Sequence, residues 1–193
     1  MKTPKLVGIG GTDGSGKDTV AQMLVERHDW LYVSVTDMLR DELRKQNRTL
    51  SRENLRTLSA QWRREFGKAV LIDKALQKFG SRESHSELGG LAIASLRHPV
   101  EADRVHELGG KVVWTDGDPH IRYKRIVARD RGSEDQVTFK EFLVEDRAQM
   151  HQKGDEATVS LAGVKERADI FVNNDGNDIE AFKNAAEKAL DLH

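Results

Sequence analysis

Five short apolar runs, at 6–10, 31–35, 91–96, 111–115 and 169–172, alternate with stretches whose apolar residues recur at helical spacing. Runs that stay apolar at consecutive positions suit strands buried on both faces, as in a parallel sheet covered by helices. The alternation predicts an α/β fold in which a five-stranded parallel sheet is flanked by helices, a three-layer sandwich. Helix punctuation agrees. Pro99 stands at a first helical position with Glu101 and Asp103 behind it, and Gly109-Gly110 closes that segment. Asp118-Pro119 opens the next helix, and Thr138 with Glu141 three residues on predicts a capping box ahead of Phe139, Phe142 and Leu143.

Two regions break this rhythm. Residues 36–80 form a long helical insertion between the second and third strands, dense in arginine: Arg40, Arg44, Arg48, Arg52, Arg56, Arg63 and Arg64. Residues 129–137 are a polar interruption between two helices. Both lie near the carboxyl ends of the strands, where open parallel sheets bind ligands. Their placement predicts an acceptor-binding insert (36–80) and a short lid (about 125–147) within a single domain spanning 1–193.

The most specific motif follows the first strand. Gly11-Thr12-Asp13-Gly14-Ser15-Gly16-Lys17-Asp18-Thr19 opens a helix that continues through Val20, Met23 and Leu24. This GxxxxGK spacing is that of a P-loop, in which backbone N–H groups of Gly11, Asp13, Gly14, Ser15, Gly16, Lys17, Asp18 and Thr19 wrap donor phosphates and Lys17 adds positive charge. Asp18 occupies the usual hydroxyl position and Thr19 comes one later. No GxGxxG dinucleotide spacing can be drawn through these glycines.

Composition narrows the class. Among 193 residues, 31 basic side chains balance 32 acidic ones, which argues against a nucleic-acid or membrane-surface binder, so any positive field is local. With no cysteine there is no disulfide framework, thiolate nucleophile or cysteine-based zinc site. No signal-peptide pattern or membrane-length apolar run is present, which makes a cytoplasmic protein the expectation. None of the seven histidines has metal-ligand spacing. Trp30, Trp62 and Trp114 read as packing residues, with Trp62 beside Arg63 also placed to flank an acceptor base.

Arginines supply the remaining chemistry. Arg97 directly follows the third strand on the sheet's ligand side. Arg125 and Arg129 lie four apart on one helical face leading into the polar break, where Arg131 sits. Arg44, Arg48, Arg52 and Arg56 read as solvated helix face.

Ser34-Val35-Thr36-Asp37-Met38-Leu39-Arg40 resembles the acceptor-side motif of adenylate kinases, with Thr36 in place of the usual glycine. The chain thus resembles the nucleoside monophosphate kinase branch of P-loop kinases, which includes dephospho-coenzyme A kinases. A closer likeness is to archaeal nucleotide-kinase-like proteins of undefined substrate. It is carried by Thr49–Leu55, Arg63-Arg64-Glu65-Phe66-Gly67, Leu96–Glu101 and Phe139–Arg147, and it extends to about Asn174. The resemblance implies a P-loop NTPase fold, ATP and Mg²⁺ as cofactors, and a small nucleotide-like acceptor. It implies that Arg40, Arg63 and Arg97 hold the acceptor with Asp37, and that Arg125 and Arg129 close over the transferred group, Arg131 and Arg147 with less support. It also places Asn173-Asn174-Asp175-Gly176 against the donor's adenine. Asp37 can instead cap its helix or hold Arg40. In the resembling kinases an acid often ends the third strand; here Ala94 stands there, and Asp18 with Thr19 is the expected metal site. A phosphate acceptor needs no general base, whereas a ribose hydroxyl, as in dephospho-coenzyme A, calls for one, with Asp13 or Asp37 first in line. A P-loop ATPase or switch without small acceptor, or a binder without catalysis, remains the competing class.

Overall fold

A computed structural model of the chain describes residues 5–80, 88–129, 136–151 and 154–192. Strands β1 (Leu6–Gly11) and β3 (Leu91–Leu96) are buried at every residue, as their unbroken apolar runs require. With β2 (Leu31–Ser34), β4 (Lys111–Asp116) and β5 (Ile170–Asn173) they form one parallel sheet in the order β2-β3-β1-β4-β5. Each predicted strand is present, shifted by at most one residue at either end. β5, at an edge, is the least buried, leaving Phe171 exposed, while β2 departs only at Tyr32 and β4 only at its ends, Lys111 and Asp116.

Helices cover both faces. Helices α1 (Lys17–His28) and α9 (Ile179–Ala189) pack on Val7, Ile9, Ala92, Ala94, Val113 and Val172. The opposite face meets α2 (Val35–Lys45), α3 (Arg52–Phe66), α4 (Val70–Gly80), α5 (Pro99–Glu107) and α8 (Leu161–Glu166). Beyond β4 lie α6 (Pro119–Arg129) and α7 (Phe139–Met150). The insertion read as one helical region is therefore three helices, broken at Asn47, whose φ is +53°, and at Gly67, whose φ is +97°.

The punctuation is where the sequence placed it. Pro99 is at the start of α5, and Thr138 and Glu141 form the capping box of α7. One irregularity carries consequence. Ile9 pairs with Ala94 and Gly10 with Leu96, so Ser95 is skipped and takes a φ of +72°. This bulge re-aims the end of β3 just before Arg97.

One five-stranded sheet organises the described residues.

Candidate active site

The loop between β1 and α1 is bent by glycines that no other residue could replace without movement. Gly14 and Gly16 have φ of +77° and +97°; a Cβ on Gly14 would sit 2.6 Å from the Arg122 carbonyl oxygen, and one on Gly16 2.6 Å from Asn174 Nδ2. Lys17 Nζ curls back and donates to the carbonyls of Gly11 (3.0 Å) and Thr12 (2.6 Å). The Ser15 hydroxyl is buried behind the loop, donating to Thr12 O, and Thr12 itself donates to Asp116 at the end of β4.

Asp13 through Thr19, apart from Ser15, face a cavity of about 260 Å³. Its other walls come from the start of α2 (Asp37, Arg40), α3 (Arg52, Arg56), the end of β3 (Ser95, Arg97), α6 (Arg125, Arg129) and Gln149 of α7. The phosphate loop, the helical insertion and the lid-region helices therefore meet at one place, at the carboxyl ends of the strands.

Asp13 is the hub of that place. Arg97 donates to it at 2.9 Å, Gln149 at 3.1 Å and Arg52 at 3.4 Å. Burial alone would raise its carboxyl pKa, but Arg97, Lys17 and Arg52 outweigh burial and hold it well below the usual carboxylate range. Burial pushes the Lys17 ammonium down to about 8; Asp13 and Asp18 oppose that shift, while Arg97 and Arg129 add to it. Arg56 is likewise pushed down by burial and by the neighbouring Arg97 and Arg52. The cavity is a place where positive groups destabilise one another, the condition under which an anion is attracted.

The predicted site residues are placed unequally. Arg40 lines the cavity and donates to Asp37 at 2.8 Å, while Asp37's own backbone N–H is capped by Ser34 Oγ. Arg125 reaches the cavity but also donates to the Asn174 carbonyl (2.9 Å), its side-chain oxygen (3.1 Å) and Gly176 O. Asn174 in turn donates to Ser15 O, so the segment expected beside adenine is fastened to the phosphate loop. Arg63 borders the cavity, yet its guanidinium is committed to Glu101 at 2.6 Å, with side chains 1% and 0% exposed. That arrangement gives Arg63 a structural task between α3 and α5. Arg131 lies outside the described residues.

Arg52 and Arg56, read as solvated helix face, instead line the cavity, and Arg56 pairs with Glu145 of α7. The spacing of Arg52, Arg56, Ser59 and Arg63, at intervals of four, three and four, shows that they share one helical face but not that this face turns to the cavity. Arg44, paired with Asp41, is exposed as expected. Gln149 and Arg122 gave no sequence signal. Arg122 is buried, grips Asp146 of α7 at 2.7 and 2.8 Å, and donates to the Asp13 carbonyl.

For a divalent cation, the Asp18 carboxylate and Thr19 hydroxyl stand on the cavity wall beside Lys17. They are hard oxygen donors of the kind Mg²⁺ takes from a protein alongside phosphate and water, so the residues fit that ion. Among the described residues no group of three acidic, histidine or cysteine side chains converges on another metal site.

The parallel sheet in this order, with the phosphate loop leaving its central strand, is the P-loop kinase fold. The chain belongs to the AAA domain family, whose sequence model matches residues 7–148. It is 25% identical over 174 residues to a UPF0200 protein of Methanococcus maripaludis, spanning 90% of this chain and 89% of that one. A shikimate kinase from Bacteroides thetaiotaomicron superposes with a TM-score of 0.58 at 15% identity, covering 97% of this chain and 98% of its own. A gluconokinase from Sinorhizobium meliloti gives 0.56 at 14% identity, over 99% and 94%. Likeness at that level is likeness of fold. Among the described residues no helix is long and apolar enough to cross a membrane.

Proposed function

We propose that the protein is a Mg²⁺-dependent phosphotransferase that moves the γ-phosphoryl group of ATP to a small, nucleotide-like acceptor bearing a phosphate. The observation that carries this reading is the meeting of a phosphate loop with arginines from three other parts of the chain around one cavity. A nucleotide-binding loop alone suits any ATPase; arginines opposite it, on a separate helical insertion, supply a second anion site. Phosphoryl transfer asks the protein chiefly to align two phosphates and neutralise charge.

In this reading the loop backbone and Lys17 hold the donor, and Asp18 and Thr19 hold Mg²⁺. When bound, Mg²⁺ neutralises charge on the donor phosphates. Arg40 and Arg97 hold the acceptor with Asp37, joined by Arg52 and Arg56, while Arg125 and Arg129 close from α6. Arg63 supports α3 beneath them. An acceptor phosphate oxygen attacks the γ-phosphorus, the bond to the β–γ bridging oxygen breaks, and ADP leaves with that electron pair. No proton has to be removed.

Asp13 bears on the choice of acceptor. A carboxylate held far below its ordinary pKa is a weak proton acceptor, so it is poorly suited to activate a ribose hydroxyl. Transfer of the dephospho-coenzyme A kind would then fall to Asp37, which accepts from Arg40 at 2.8 Å, as its base, whereas a phosphate acceptor needs none. The acceptor arginines favour a kinase over a switch that hydrolyses ATP alone.

ADP release from MgATP, measured with each nucleoside monophosphate, dephospho-coenzyme A and small sugars, tests the reading. Acceptor-dependent ADP with a monophosphate is expected. Equal ADP release with and without every acceptor would favour the ATPase, and turnover with a neutral sugar alone would overturn the phosphate acceptor.

A further inference from the structure

Tyr32 is a polar side chain on the face of β2 covered by α1 and α9. It pairs with Ala92 of β3, and Ser34 two residues on pairs with Ala94. Its ring packs on the cluster built from α1 and the inner sheet residues, Ala92 and Ala94 among them. Its hydroxyl donates to Oδ1 of Asp18 in the first turn of α1, at 2.9 Å. Both β3 residues beside it on this face, Ala92 and Ala94, are alanines, so they present only methyl groups to its ring. The hydroxyl meets Asp18 where that residue faces the cavity between Lys17 and Thr19.

The consequence for Asp18 is orientational. The half-buried Asp18 carboxylate turns about two side-chain bonds, of which the outer has a broad torsional preference. A hydrogen bond from a ring anchored in the core fixes the position of Oδ1. Partners that bond a metal-binding carboxylate from behind govern cation affinity, commonly by tenfold or more. We infer that Tyr32 is a positioning residue for the divalent cation of the donor site, acting through Asp18. This rests on the reading of Asp18 as a Mg²⁺ ligand.

Binding of Mn²⁺, used as a paramagnetic probe, to the full chain with a non-hydrolysable ATP analogue separates the two claims. Tyr32→Phe retains the ring and its packing and removes only the hydroxyl. It is expected to weaken Mn²⁺ binding on the order of tenfold, to leave metal-free nucleotide affinity unchanged, and to add little when combined with Asp18→Asn. If Asp18→Asn weakens Mn²⁺ binding and Tyr32→Phe does not, the inference about Tyr32 fails and the reading of Asp18 stands. If Asp18→Asn leaves Mn²⁺ affinity at the wild-type value, the metal reading fails and the inference falls with it. A Tyr32→Phe loss of metal-free nucleotide affinity equal to its loss of Mn²⁺ affinity would reduce Tyr32 to general support of α1 and would also overturn the inference.

Discussion

Lys17 and Asp13, four residues apart in one loop, both sit below their ordinary pKa values but for different reasons: burial disfavours the ammonium, whereas at the carboxylate Arg97, Lys17 and Arg52 outweigh burial. With a pKa of about 8, Lys17 loses charge within an accessible pH range. Since the donor is polyanionic, nucleotide affinity of the free protein should fall above pH 8, approaching about tenfold per pH unit, the limit for loss of one required proton. A flat profile to pH 9.5 by calorimetry would contradict that placement. The same shift carries a stability sign. The unfolded lysine keeps its proton up to its ordinary pKa of 10.5, so between about 8 and 10.5 the unfolded chain binds more protons. The contribution of Lys17 to stability therefore rises with pH across that window, while below 8 the cost of burying the charge is borne in full. Asp13→Asn removes the carboxylate that Arg97, Arg52 and Gln149 share. We expect it to raise the acceptor KM more than the donor KM, because both arginines lose their common anchor; equal changes in initial-rate kinetics would argue against it. The spacing of the loop revealed Lys17 and the glycines directly. The partners of Asp13 were hidden because Arg52, Arg97 and Gln149 lie 39, 84 and 136 residues away.

Individual elements are held in place by contacts of two kinds. Local ones were legible: the capping box of α7 and the proline at the start of α5 are patterns within four residues, and the structure contains both. Long-range ones were not. Arg63 reads as an acceptor ligand through the resemblance to nucleotide kinases, yet α5 presents Glu101 to it in a dry interior. Glu101 also accepts from the backbone N–H groups of Arg97 and His98, so one carboxylate joins α3, α5 and the exit of β3. Glu101→Ala leaves the Arg63 charge buried and unpaired and should cost about 3–5 kcal/mol of stability. Urea unfolding reads this directly, and a change below about 1 kcal/mol would contradict the burial of the pair. Asp146→Asn tests a second clamp. It weakens the grip of Arg122 on α7 and, through the Asp13 carbonyl, loosens the phosphate loop. A several-fold weaker nucleotide affinity is expected, and an unchanged affinity would show that the loop holds its shape without α7.

At the scale of the whole molecule, the sheet order places β1 in the centre, so its loop opens at the middle of the ligand edge. The helical insertion reaches the same edge from one side, and α6 and α7 from the other. Consecutive apolar runs reveal such a sheet because a strand buried on both faces cannot alternate. They do not reveal which helix face turns inward, which is why Arg52 and Arg56 read as solvent-facing until α3 is seen against the cavity. The bulge at Ser95, which re-aims the end of β3, was equally invisible, since Ser is ordinary in a strand end and only the pairing with β1 shows the skipped residue. The proposed chemistry requires above all that the cavity join a donor phosphate to an acceptor phosphate. Phosphorus NMR of the full chain with MgATP and the nucleoside monophosphate panel tests it most directly. The predicted result is a new diphosphate resonance from one acceptor, formed with ADP in equal amount and absent in Lys17→Ala; ADP accompanied only by inorganic phosphate, whatever the acceptor, would contradict it.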